Sequence, residues 1–353
     1  MERRFSKENT NCIKGVAVLL LLLHHVLNSK YPYESILIGG TFDYLYPFVS
    51  LAKVCVYLFF IMSGYGLFIS YTKEKRTLKN AFKFVIRHIL KLWSMFWFVY
   101  IIFVPMGIFF DRSPSIIYAG DWLNALWDFL GLAYLTSHIS CIPTWWYLSM
   151  SILFYAFFPF ICLVIERLNK WSWGIWGIIV LLSGKYMGWK VSLIYCVPFL
   201  LGALLANFNG IEKIGSALML VIKNKLIRVL IYFLMMCIYC VFRLKIMSDN
   251  MFFYRFDWIL ALLIILFLYD FVPTGGKVSK GMSLLGINSG NIYFFHAFIY
   301  SLYLKEFIYS FKYASLVYLI TLAICIMVSR GLENLKSAIG YTNLFNRIIM
   351  KFS

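Results

Sequence analysis

Apolar residues dominate the chain in long runs, and the polar residues fall in the short gaps between them. Ten runs stand out, near residues 13–27, 44–71, 92–110, 144–165, 171–189, 191–208, 226–242, 256–272, 284–304 and 311–329. A helix needs about 20 apolar residues to cross the hydrocarbon of a bilayer. The pattern therefore predicts an all-α polytopic membrane protein, a bundle of about ten transmembrane helices forming a single integral-membrane domain over 1–353. The fifth run is interrupted by Gly184 and Lys185 and is the least regular of the ten. The first opens after Arg3, Arg4 and Lys7, as a signal peptide would, but no small-residue cleavage site follows and it ends in His24 and His25. It is expected to be a retained span. No internal repeat and no Pro- or Ser-rich linker is evident, and the longest outer loop, about 111–143, reads as an interfacial cap.

Composition sharpens this reading. The chain is 62% hydrophobic, 20% aromatic and only 14% charged. That excludes a secreted enzyme, a disordered tail and a nucleic-acid-binding domain. The net charge of +18, from 33 Lys and Arg against 15 Asp and Glu, has to be read by side of the membrane, since cytoplasmic loops collect basic residues. An inside N-terminus puts 23 basic residues in the cytoplasm and nine outside, with Lys53 inside the second span. Both termini are therefore expected in the cytoplasm, residues 331–353 forming a cytoplasmic tail. The eight cysteines lie mostly in apolar runs, where they act as small hydrophobes; the Cys237 and Cys240 pair is expected to be part of a helix and not a redox motif. No metal site is expected.

Chemistry should reside in polar residues that are costly to hold at membrane depth. Eleven helical steps of about 100° bring His25 to within roughly 20° of Lys14, while His24 falls about 80° away. Lys14 and His25 thus share a face, about 16 Å apart along the axis. Snorkelling of Lys14, with the histidines marking the helix end, is the plainer account. Lys79, Lys83, Arg87 and Lys91 form a basic stripe beside His88. Such a stripe suits the phosphates of an anionic ligand, for instance the nucleotide part of coenzyme A, and equally suits anionic membrane lipid. Trp145, Trp146 and Tyr147 start the fourth span, as an interfacial aromatic belt or a stacking platform for a sugar. The ninth span carries Asn288, Ser289, Asn291, Tyr293 and His296, which are expected to line a cavity or pair with another helix. Ser63 to Gly66, the SGYG of the second span, reads as close helix packing.

Five stretches in order resemble the membrane-bound acyltransferase family 3, the O-acetyltransferases of O-antigens, capsules and other exopolysaccharides. They are Lys14 with His25, VYLFFIMSGYGL (Val56 to Leu67), RHILKLWS (Arg87 to Ser94), WYLSMSILFYAFFP (Trp146 to Pro159) and LGINSGNIYFFH (Leu285 to His296). The resemblance runs from about residue 8 to 330. His88 and Lys91 stand where the family has an Arg-X-X-Arg core, Ser94 where it has Pro, and Ser151 where it has Glu. What the resemblance implies is a multi-pass enzyme of the bacterial plasma membrane that moves an acyl group, acetyl as the expected case, from cytoplasmic acyl-CoA to a hydroxyl of a surface polysaccharide or its lipid-linked precursor. Acetyl-CoA would be a substrate, with no bound cofactor. His25 would be the general base, supported by Lys14. Arg87, His88 and Lys91 would hold coenzyme A phosphates, and Trp145, Trp146, Ser289 and His296 would hold the acceptor. Direct transfer and a covalent acyl-enzyme both remain open. A transporter or flippase for a sugar polymer or lipid-linked sugar is the alternative, and an acyltransferase for a small molecule a third reading.

The topology is directly testable. In a cysteine-free background, single cysteines at Ser6 and Ser353 should be shielded from an impermeant thiol reagent in intact cells, and one at Ser113 should react. Labelling at Ser353 alone would require an odd number of spans.

Overall fold

The computed structural model describes residues 4–28, 42–183, 194–245 and 251–352. Among these residues all regular structure is helical. The main helices are α1 (Lys7–Leu27), α2 (Phe42–Leu51), α3 (Val54–Tyr71), α4 (Leu78–Met106), α5 (Trp122–Phe129), α6 (Trp146–Leu168), α7 (Ser172–Leu182), α8 (Cys196–Asn207), α9 (Gly210–Val221), α10 (Lys225–Lys245), α11 (Trp258–Phe271), α12 (Lys277–Ile287), α13 (Ser289–Ala297), α14 (Ala314–Ala338) and α15 (Tyr341–Met350).

Six stretches among the described residues are long and apolar enough to cross a membrane: Lys7–Leu27, Pro47–Tyr71, Leu78–Phe110, Pro143–Leu182, Lys225–Lys245 and Ala314–Ala338. The other apolar runs are carried by shorter pieces. Runs 144–165 and 171–189 meet within Pro143–Leu182, where a tight turn at Asn169–Trp171 separates α6 from α7. Gly184 and Lys185 lie outside the described residues. The runs at 191–208 and 256–272 contain α8 and α11, of 12 and 14 residues. At 1.5 Å per residue these rise only about 18 and 21 Å, short of a hydrocarbon layer of about 30 Å. The run at 284–304 is cut at Asn288, between α12 and α13, and again by a π-helical turn over Phe298–Tyr303. An apolar run reports side-chain chemistry and is blind to such interruptions.

Two compact units divide the chain. The first comprises Met1–His24, Leu45–Lys73 and Phe160–Ile287. At its centre α3, buried along most of its length, packs on α8. The crossing is close because glycines face each other's backbones: a Cβ on Gly64 would stand 2.0 Å from the Phe199 carbonyl oxygen, and one on Gly202 would stand 2.0 Å from that of Ile61. Gly66 meets nothing, so in the SGYG stretch the packing role falls to Gly64. A second reciprocal crossing joins α1 and α12, with Gly15 against the Met282 carbonyl and Gly286 against that of Asn11.

In the same unit α10 is amphipathic with its polar side inward. Arg228, Tyr232, Tyr239 and Arg243 are buried, whereas Leu230, Phe233, Leu234, Ile238 and Val241 are exposed. That arrangement is stable where the surroundings are hydrocarbon. The two arginines tie both ends of α10 to α11. Arg228 donates through Nε and Nη2 to Asp270 at 2.7 and 3.1 Å, and Arg243 donates to Asp257 at 3.0 Å beside the Tyr239 hydroxyl at 2.8 Å.

The second unit comprises His25–Tyr44, Glu74–Pro159 and Asn288–Ser353. Here α4 packs with α13 and α15. A polar seam registers α13 on α14. Ser329 donates to Asn288 at 3.1 Å, Asn291 donates to Glu333 at 2.6 Å, and the buried Lys336 ammonium donates to Asn291 at 2.8 Å and Glu333 at 2.7 Å. Residues 331–350, expected to form a tail, are the end of α14 and the helix α15, whose Tyr341 hydroxyl donates to the Ser94 carbonyl at 2.8 Å.

Breaking a buried ion pair from one side leaves a bare charge and costs about 3–5 kcal/mol. Asp270→Ala should therefore lower the melting temperature in detergent sharply. The double variant Arg228→Met with Asp270→Leu should recover most of the loss, since it removes both charges.

Candidate functional site

The second unit holds a cavity of about 590 Å³ lined by His25, Arg112, Ser140, Cys141, Ile142, Pro143, Thr144, Trp146, Ala297 and Tyr300 to Leu302. Four irregular elements make it, one of them the turn after α4 that carries Arg112. The last turn of α1 brings in His25 and is tied down by the Tyr309 hydroxyl, which donates to the Val26 carbonyl at 2.7 Å. The π-helical turn after α13 lets an extra residue into the helix and so re-aims Tyr300, Ser301 and Leu302. The loop before α6 supplies the remaining wall.

That loop is held from beneath by one buried carboxylate. Asp128, at the end of α5, accepts hydrogen bonds from the Tyr118 hydroxyl at 2.8 Å, the Ser140 hydroxyl at 2.7 Å and the Cys141 backbone N–H at 2.8 Å. Asn124 adds a fourth tie, accepting from the Ile139 N–H at 3.0 Å. The same cap is fastened to α4 by the indoles of Trp93 and Trp97, which donate to Leu130 and Phe129 carbonyls at 3.0 and 2.8 Å. Burial lifts the Asp128 carboxyl to about 6, against the downward pull of its three hydrogen bonds. Burial also pushes the Cys141 thiol up, so it stays protonated near neutral pH.

His25 packs against His296, with ring centroids 5.1 Å apart, and against Tyr300 at 6.5 Å. His296 is fully buried. Its Nδ1 lies 2.8 Å from the Tyr293 carbonyl and 3.1 Å from that of Ile292. Both partners are acceptors, so Nδ1 carries the proton and Nε2 is a bare lone pair. That Nε2 has no hydrogen-bond partner among the described residues.

The other residues singled out in the sequence take varied places. Trp146 lines the cavity. Trp145 does not; it is buried behind the wall, its indole donating to the Phe294 carbonyl at 3.0 Å and its ring edge-on to Phe96 at 4.8 Å. Ser289 sits half-buried at the start of α13, away from the cavity lining. Lys14 is half-buried on α1 and belongs to the first unit, whereas His25 belongs to the second. On α4, Arg87 pairs with Glu74 at 2.5 Å, His88 donates to the Phe84 carbonyl at 2.8 Å and stacks on the Phe84 ring at 4.0 Å, and Lys91 is exposed. Several participants were not singled out in the sequence, among them Glu74, Arg112, Ser140, Tyr300 and Ser301. Arg112 left one trace, as the lone Lys or Arg of loop 111–143.

Asp128→Asn should loosen this wall, at about 1–3 kcal/mol for each buried donor left unpaired. The pH dependence has a definite sign. The folded carboxyl titrates above the usual value of about 3.9, so the stability it contributes is greatest below about pH 4 and declines as pH rises through about 6. Thermal melts of wild type and Asp128→Asn should therefore converge by about 2–3 kcal/mol between pH 4 and 7.

Comparison with known proteins bears on the whole assembly. The family model described as an acyltransferase domain matches residues 8–330. No curated protein and no solved structure matches the chain. The family match spans both units, including α1 with its Lys14 and His25, and the six membrane-length stretches make the chain a membrane protein. The chain therefore belongs to acyltransferase family 3 and is a membrane acyltransferase.

Proposed function

We propose that this protein transfers an acyl group, acetyl as the expected case, from cytoplasmic acyl-CoA to a hydroxyl of a cell-surface polysaccharide or its lipid-linked precursor, in a bacterial plasma membrane. The observation that carries the reading is the cavity lined by His25, whose ring packs on the buried His296, under a wall of hydroxyl and aromatic groups. A sugar ring fits such a lining, with flat faces from Trp146 and Tyr300 and a hydroxyl from Ser301.

His25 is the base. It removes the proton of the acceptor hydroxyl as the oxygen attacks the thioester carbonyl, and an imidazole titrates in the range that suits this task. Collapse of the tetrahedral intermediate breaks the carbon–sulfur bond. The imidazolium returns its proton to the departing thiolate, leaving an O-acyl ester and free coenzyme A. His296 supports the cycle through its bare Nε2, an acceptor on a ring in contact with His25. Lys14 is assigned to the donor side, holding the pantetheine or phosphate end of coenzyme A or stabilising developing negative charge. Arg87, His88 and Lys91 are assigned to coenzyme A phosphates, with Lys91 the more available charge because Arg87 is already paired with Glu74. A flippase or exporter would use the same residues as a path and would form no ester.

His25→Ala should lower turnover by about 10² to 10⁴ at matched expression. His24→Ala should be mild, because His24 makes a backbone contact, its Nδ1 lying 2.9 Å from the Val49 carbonyl. The measurement is the NMR signal of O-acyl ester on the host polysaccharide with and without the gene and with each variant. Unchanged ester content in the gene deletion would overturn acyl transfer, and wild-type content in His25→Ala would remove His25 from its role.

A further inference from the structure

The cavity contains a charge for which the acyl-transfer chemistry has no use. Among the described residues Arg112 is the only one lining the cavity that carries a fixed charge. Its backbone is clamped rather than loose. The Arg112 N–H donates to the Gly107 carbonyl at 2.8 Å, and the Arg112 carbonyl lies so close to Gly107 that a Cβ there would stand 2.1 Å away. Phe110 stacks on Tyr303 at 4.4 Å, and the Tyr303 hydroxyl donates to the Phe103 carbonyl, so the turn that carries Arg112 is fastened on both sides.

The Arg112 side chain is exposed. The carboxylate buried in this cap is Asp128, and its oxygens are already taken by Tyr118, Ser140 and Cys141. Among the described residues the Arg112 guanidinium forms no ion pair and no hydrogen bond. Among the described residues no Asp or Glu lines the cavity. An exposed guanidinium carried on a clamped backbone at the edge of a cavity is complementary to anionic oxygen atoms of a ligand.

We propose that the acceptor taken by this cavity carries an anionic oxygen group, a sugar carboxylate or the phosphate of a lipid-linked sugar, with Arg112 as its counter-ion. The proposal rests on the acyl-transfer reading of the same cavity and narrows its substrate class. A guanidinium offers two parallel donors to a carboxylate or phosphate, which a lysine cannot reproduce. Arg112 is then a specificity-determining residue, engaging a part of the acceptor remote from the reacting hydroxyl.

The test uses the full chain purified in detergent and two matched pairs of probes in calorimetric titration. One pair is a glucuronate-containing disaccharide and its methyl ester. The other is a polyprenyl phosphate and the corresponding alcohol. Wild type should bind the charged member of one pair about 10- to 100-fold more tightly. Preference within the first pair identifies a sugar carboxylate, and preference within the second a lipid-linked phosphate. Arg112→Gln should abolish the preference and Arg112→Lys should retain part of it. Equal binding within both pairs by wild type, or a preference that survives in Arg112→Gln, would overturn the proposal, and the wild-type comparison needs no variant to fold. His25→Ala should keep the charge preference while losing ester formation. Charge preference without ester formation by wild type would refute acyl transfer and leave the anion site standing. Equal ester formation on charged and neutral acceptors would do the reverse.

Discussion

Hydrocarbon cannot solvate a polar group, so every donor, acceptor or charge that enters the membrane must be answered from within the protein. This constraint organises the molecule. It turns α10 inside out, with Arg228 and Arg243 inward and leucine and phenylalanine outward. It joins α13 to α14 through Asn291, Glu333 and Lys336. It also explains why indole and phenol groups are spent on backbone carbonyls, as Trp145 is on Phe294 and Tyr309 on Val26. Ion pairs of this kind add little over well-packed apolar residues. Their effect is on register, because a helix that slid or rotated would strand a charge.

The cavity occupies the place where regular helix gives way. A π-helical turn, a helix end and a folded loop meet there, and each exposes groups that a straight helix would consume in its own hydrogen bonds. Non-helical backbone is tolerated near a membrane only when buried in protein or lining a polar space, and both conditions hold. The cap is stiff because Asp128 gathers three donors from separate points of the loop. Placement of the Ser140 to Thr144 wall thus depends on a residue that does not itself line the cavity. His296 stands in a similar relation to His25. It is buried, its tautomer is set by its own helix, and its ring packs against that of His25.

The basic stripe of α4 is less uniform than its spacing implies. Arg87 is occupied by Glu74, His88 is folded against Phe84, and Lys91 is left exposed. A single acidic residue before the helix is enough to convert the most phosphate-suited member of the row into half of an ion pair. Any phosphate reaching this face competes with that carboxylate for Arg87, which Lys91 does not require.

Much of this was legible in the chain. Long continuous apolar runs determine an all-helical membrane protein, since the strands of a barrel, the other way to satisfy the backbone in lipid, alternate apolar with polar residues. The helix period places Lys14 and His25 on one helix, α1, and the polar letters of the ninth run mark a segment that does not face lipid; Asn291 and His296 are indeed buried there. Small residues at Ser63 to Gly66 announced a close crossing, to which Gly64 contributes and Gly66 does not. What the tertiary structure alone decided is which neighbour each polar group meets. Adjacent tryptophans diverge, Trp146 into the cavity and Trp145 into the core behind it, because the Phe294 carbonyl that takes the Trp145 indole lies 149 positions along the chain. Arg112 becomes a cavity residue through a turn closed on Gly107 and a contact of Tyr303 with Phe103, 200 positions apart. Helix period and composition are local quantities, and they specify the face a residue presents. The partner on that face is set by packing between segments distant in sequence, and no local pattern contains it.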